Sequence, residues 1–201
     1  DSDFRADEET GCAPRTPYAR SKLEAEGLVV DAGGTVLRFP VVYGPGDRGN
    51  MGKLIRTLVR GRFVLPSKCT APRSMLSSAN AARGIALALT SESEARLFLV
   101  TDDDDASLER LAQAIAQSLE PPKRLQVLPR QVVWLAACAG SALGVLGVPF
   151  PLNLDRWRKL TRPLTFSSAR ARVELAYAPS LSFEEGIRLT VRHVVEGKLQ
   201  S

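Results

Sequence analysis

Between Thr16 and Phe39 the sequence writes a helix, a double-glycine stop and an apolar strand back to back, and this crossover restricts the fold more than any other feature. Thr16 suits the cap of a helix, because its hydroxyl accepts from the free N–H groups of the first turn. Pro17 suits the first helical position, where no backbone donor is needed. The predicted helix runs through Tyr18, Lys22, Leu23 and Glu26 and stops at Gly33-Gly34. Residues 35–39 read as a short strand that Pro40 ends, and Tyr43-Gly44-Pro45-Gly46-Asp47 as a turn.

Further on, Met51, Leu54, Ile55, Leu58 and Val59 recur at helical spacing. A helix is expected over about 80–89, strands at 96–100 and 125–128, and a helix over 107–119. Ser182-Phe183-Glu184-Glu185 is a capping box that opens a helix to about Val195. The acidic run 102–105 reads as a solvated turn that caps the 107–119 helix. The chain has no internal repeat. Its first ten residues are polar and read as a loop, an odd place for a domain to begin, so a truncated N-terminus is expected.

With 27 basic and 22 acidic residues the formal charge is +5, and the excess forms no run. Such a balance suits an acidic small molecule, and no aromatic-interleaved basic patch favours nucleic acid. Cys12, Cys69 and Cys138 lie far apart, no pair has metal-ligand spacing, and His193 is the lone histidine. No metal site is expected, and a reducing cytoplasm is the simplest setting. Residues 131–154 carry no charge and are flanked by Arg130 and Arg156; Gly140 and Gly144 stand at GxxxG spacing. The leading expectation is a buried helix or helical hairpin of a substrate domain, since the apolar part, 132–148, is short for a span and Pro149 and Pro151 break it. Membrane contact through 132–148 is the minor alternative.

The residues that carry chemistry are Tyr18 and Lys22. Four residues apart on a helix, they share one face. Passing a hydride from a carbinol carbon to a nicotinamide requires a base for the hydroxyl proton. A phenol ionises near pH ~10 in water. A neighbouring ammonium favours the phenolate and brings it toward working range. The same ammonium can donate to ribose hydroxyls of a cofactor.

In order along the chain stand Pro17-Tyr18-Ala19-Arg20-Ser21-Lys22-Leu23-Glu24-Ala25-Glu26, then Arg38-Phe39-Pro40-Val41-Val42-Tyr43-Gly44-Pro45-Gly46, then Arg73 ahead of Asn80, then Phe166-Ser167-Ser168 through Pro179 and Leu181 through Ile187. Together they resemble the extended short-chain dehydrogenases/reductases. Within that family they resemble the nucleotide-sugar epimerases, dehydratases and 4-ketoreductases, over almost the whole chain. The resemblance implies an α/β fold: the C-terminal part of a Rossmann-like parallel sheet with a small α+β substrate-binding domain. Residues 1–48 would end the NAD(P)-binding domain. Residues 49–201 would be mainly substrate domain, with about 74–100 returning to the sheet. Tyr18 would be the acid/base and Lys22 its partner on the cofactor ribose. Pro40 would line the nicotinamide pocket with Val41 near the sugar, Asn50 would hold the nucleotide-sugar phosphates or sugar, and Arg73 would meet the diphosphate. A guanidinium suits that last task, because it binds phosphate oxygens bidentately. The implied cofactor is NAD or NADP, with NAD favoured, and the implied partner is a nucleotide sugar. A homodimer is expected by analogy.

Three family features are not in this sequence: the glycine-rich turn that cradles the dinucleotide pyrophosphate, the acidic residue that reads the adenine ribose, and the catalytic Ser/Thr. Ala79 and Ser167 stand where the family commonly carries Asp. The implied activity is a UDP-sugar 4-epimerase. A 4-ketoreductase and a steroid-type dehydrogenase are the rivals within the family. A non-catalytic nucleotide-binding homologue is the rival outside catalysis.

Overall fold

The computed structural model describes residues 5–145 and 152–197. In chain order the elements are α1 (Pro17–Asp31), β1 (Val36–Arg38), β2 (Val41–Tyr43), α2 (Asn50–Val59), β3 (Val64–Pro66), β4 (Met75–Ser77), α3 (Ser78–Leu89), β5 (Leu97–Leu99), α4 (Leu108–Gln117), β6 (Gln126–Leu128), α5 (Arg130–Val145), α6 (Leu154–Thr161), α7 (Ala169–Glu174) and α8 (Phe183–Glu196). The fold is α/β, with its parallel strands in small sheets.

The described chain divides into two units. The first gathers the residues up to Val42 with 74–104 and 165–183. In it β1 pairs with β5 in parallel, Leu37 opposite Phe98. Phe98 and Val100 pack with Leu76, Ala81, Ala171, Leu175 and Tyr177 to form the core. Gly84 lets α3 lie against the sheet, since a Cβ there would stand 3.0 Å from a Val100 methyl. α1 begins as the sequence predicts: the Thr16 hydroxyl accepts from the Ala19 N–H at 3.1 Å. It ends at Gly33, whose φ of +78° is the left-handed conformation that closes helices.

The second unit holds 43–73, 105–164 and the described residues from 184 onward. Here β3 pairs with β6 in parallel, Leu65 opposite Val127. α2 and α4 bury Met51, Ile55 and Leu58 and Ala112, Ile115 and Ala116. α5 packs on α6, with Val133 and Ala137 against Trp157. The expected buried helix is thus buried along one side only. Residues 146–151 of the uncharged stretch, including Pro149 and Pro151, lie outside the described residues.

One expectation is overturned. The acidic run is not a solvated turn throughout, because Asp102 is 6% exposed. Its carboxylate accepts from the Ser77 N–H at 2.9 and 3.0 Å and from the Asn80 amide at 2.7 Å. Burying a carboxylate is tolerable only with such donors. Nor does the run cap the following helix: the hydroxyl of Ser107 does so, accepting from the Arg110 N–H.

Candidate active site

Along α1, Tyr18, Lys22 and Glu26 stand four residues apart and all open on one cavity of about 720 Å³. That volume lies within the range of small-molecule sites. β1 and the residue that ends it supply further walls: Val36, Arg38 and Pro40 line the same space, with Leu99 and Phe166. The Lys22 ammonium stands 5.8 Å from the centre of the Tyr18 ring. Tyr18 is 72% exposed, so its phenol is accessible rather than packed.

Glu26 and Arg38 tie the helix to the strand. The Arg38 Nε donates to one carboxylate oxygen at 2.9 Å, and a guanidinium NH₂ donates to the other. This is a fork-to-fork pair, and both side chains are largely shielded. Glu26 raises the Arg38 pKa above its ordinary value, chiefly through that hydrogen bond. The sequence reading placed Glu26 on the helix but gave it no part in the site. The signal was present: Glu26 continues the Tyr18–Lys22 stripe by one more turn.

Tyr18, Lys22 and Pro40 are therefore brought together. Val41, in the same unit, is 45% exposed and is not in the cavity wall. Asn50 and Arg73 belong to the second unit. Asn50 is the exposed first residue of α2, and Gly49, not Asn50, occupies the cap position. The Arg73 guanidinium is half-buried and donates through one nitrogen to the carbonyls of Lys159 and, at 3.4 Å, Arg162. Burial lowers its pKa from the ordinary value.

α1 thus carries tyrosine and lysine in register, opening on a cavity beside the parallel β1–β5 pair. The model of the NAD dependent epimerase/dehydratase family matches residues 2–100, just under half of the chain. UDP-glucose 4-epimerase of Vibrio cholerae is 27% identical over 189 residues, 90% of this chain and 54% of that one. Two solved structures share the fold. UDP-glucuronic acid 4-epimerase from Bacillus cereus, in complex with UDP-glucuronic acid and NAD, superposes with a TM-score of 0.70 at 16% identity, over 96% of this chain and 57% of that one. RMD from Pseudomonas aeruginosa, complexed with NADPH, gives 0.67 at 18% identity, over 94% of this chain and 60% of that one. The chain spans about half the length of the curated relatives it matches, 57% and 54%.

Proposed function

We propose that the protein carrying this chain is an NAD(P)-dependent nucleotide-sugar epimerase of the UDP-sugar 4-epimerase type. The observation that carries the reading is the placement of Tyr18 and Lys22 on one helical face, open to a cavity that Pro40 also lines. The match of residues 2–100 to the epimerase/dehydratase family model and likeness to proteins solved with NAD, NADPH and UDP-glucuronic acid support it.

The residues present fit one end of a nicotinamide dinucleotide. Lys22 would supply ammonium donors for ribose hydroxyls, Pro40 an apolar wall, and Tyr18 a phenol open to the same cavity. NAD(P) supplies the hydride acceptor when bound. Tyr18 takes the proton of the sugar hydroxyl as the carbinol carbon is oxidised and returns it when the carbonyl is reduced. The ammonium of Lys22 stabilises the phenolate between those steps. Glu26 and Arg38 hold the helix against β1, so that Tyr18 and Lys22 keep their distance from Pro40. The proposal gives Arg73 the substrate diphosphate and Asn50 the phosphates or the sugar. Arg73 serves that role through guanidinium N–H groups other than the one bonded to Lys159 and Arg162. Val41 lies on the sugar side.

The test is product analysis with UDP-glucose on the full-length protein. Interconversion of UDP-sugars at constant cofactor is expected, and Tyr18→Phe lowers its kcat by about 10²–10⁴-fold. Net consumption of NADPH would instead make the protein a 4-ketoreductase. A Tyr18→Phe variant with undiminished activity would refute the role of the phenol and favour a non-catalytic homologue.

A further inference from the structure

We propose that Glu8 and Arg170 are positioning residues of the candidate site: together they close the outer edge of β5 in place of a further strand, and so hold Leu99 and Phe166 in the wall of the Tyr18 cavity. The inference rests on the reading of that cavity as the place of cofactor and substrate.

One edge of β5 is taken by β1. The Val36 N–H donates to the Arg96 carbonyl at 2.8 Å and the Val100 N–H to the Arg38 carbonyl at 3.1 Å. Residues 96, 98 and 100 therefore turn their backbone groups toward β1, and Leu97 and Leu99 turn theirs the other way. A neighbouring strand would offer an acceptor to the Leu99 N–H and a donor to the Leu97 carbonyl. Two side chains do so instead. The Glu8 carboxylate accepts from the Leu99 N–H at 2.7 Å, and the Arg170 guanidinium donates to the Leu97 carbonyl at 3.4 Å. The two charged groups stand 4.0 Å apart, and only 4% of the Glu8 side chain is exposed. A shielded carboxylate needs donors and a shielded strand N–H needs an acceptor, so each answers the other.

Both halves of this clamp are held in place. Residues 7–10 close on themselves: the Thr10 N–H donates to the Asp7 carbonyl, and the Asp7 N–H to the Thr10 hydroxyl. That turn presents Glu8, and also Glu9, which accepts from the same Arg170 guanidinium. Arg170 stands on α7, whose Ala171 and Leu175 pack in the core with Phe98. Just upstream of the turn, Ala6 brackets Phe166. The Ala6 N–H donates to the Thr165 carbonyl at 3.0 Å, and the Ala6 carbonyl accepts from the Ser167 N–H at 2.9 Å. The Phe166 N–H itself donates to the Ser74 hydroxyl at 2.9 Å. Segment 6–8 thus fastens Phe166 through the backbone of Ala6 and Leu99 through the side chain of Glu8.

The clamp falls where the cavity needs it. Leu99 and Phe166 are the lining residues that lie outside α1 and residues 35–40. Of the three residues of β5, Leu99 alone lines the cavity, and it is the Leu99 N–H that the carboxylate takes. Without that acceptor the N–H is left unpaired, and the wall opposite no strand is free to shift. Tyr18 and Lys22 ride on α1 and keep their own spacing. The clamp therefore acts on the fit of a ligand rather than on the chemical groups. A glutamine at position 8 still offers an oxygen to the Leu99 N–H, so it separates the acceptor from the charge.

The experiment is titration of the full-length protein with NADH, followed by nicotinamide fluorescence, with hydrogen exchange read on the peptide covering 97–101. Glu8→Ala is expected to weaken NADH about tenfold and to speed exchange at Leu99 by a similar factor, while Glu8→Gln stays within about threefold of the parent in both. Arg170→Ala, expected to weaken NADH by about threefold, takes the place of Glu8→Ala if circular dichroism shows that variant unfolded. With UDP-glucose, Glu8→Ala is expected to raise KM and to spare kcat, the reverse of Tyr18→Phe. Three results would each overturn the positioning role: parent-like NADH affinity in Glu8→Ala, a Glu8→Gln variant as weak as Glu8→Ala, or a fall in kcat at unchanged affinity. A parent protein that binds no NADH and converts no UDP-sugar would instead overturn the reading of the cavity, and the role of the clamp with it.

Discussion

Two helices of the same unit are held in opposite ways. α1, fifteen residues long and bearing Tyr18 and Lys22, buries none of them. α3, twelve residues long and bearing no proposed chemistry, buries Asn80, Ala81 and Gly84. Asn80 alone joins three parts of the unit: its amide donates to Asp102 and to the Leu181 carbonyl, and its oxygen accepts from the N–H groups of Ser180 and Leu181. α1 relies on its two ends and on the Glu26–Arg38 fork. The lesson is a division of labour: the helix that offers side chains to a cavity gains little from the core, and the helix that builds the core offers nothing to the cavity. Stability and candidate chemistry are therefore separable by mutation.

The largest expected effect lies in the core. Phe98→Ala empties the centre of the β1–β5 sheet and is expected to cost about 3–5 kcal/mol in denaturant unfolding. A loss well below that range would mean the core collapses around the gap and would blur the contrast.

Next comes the fork. Glu26→Gln leaves the guanidinium of Arg38 without its charged partner and is expected to cost on the order of 1.5–3 kcal/mol. In the full-length protein the same variant is expected to lower kcat, because Tyr18 loses its fixed distance to the cavity wall. Full stability with lowered kcat would sharpen the contrast, and lost stability with unchanged kcat would break it.

The smallest effect is expected at Tyr177. Its hydroxyl donates to the Thr101 carbonyl at 2.9 Å, and Tyr177→Phe is expected to cost about 1 kcal/mol at neutral pH. Burial, and then the nearby charges of Asp102 and Asp103, raise this phenol well above its ordinary 10.0. The folded state thus keeps a proton that the unfolded state gives up first. The contribution is whole below pH ~10 and falls as pH climbs past that value. Urea melts from neutral to alkaline pH should show stability falling above pH ~10 in the parent and falling less in Tyr177→Phe.

The legible parts of the molecule were the local ones. Thr16, Pro17 and Gly33-Gly34 marked the ends of α1, and Ser182 through Glu185 announced α8 (Phe183–Glu196). Tyr18 and Lys22 needed only four residues of helix to share a face. Asp102 was misread because its partners, Ser77 and Asn80, lie 25 and 22 residues away, and nothing in a run of four aspartates says which one turns inward. For Arg73 the sequence offered a phosphate ligand but not its contacts with carbonyls 86 and 89 residues further along.

By itself the sequence determined where helices begin and end and which side chains ride together on one of them, because caps, glycine stops and i,i+4 spacing act within a turn or two. Only the tertiary structure decided that Glu26 clasps Arg38, that one aspartate of four is buried, and that α5 keeps an apolar side uncovered. Those outcomes depend on groups far apart in the chain meeting in space, where burial and the loss of water set the energies.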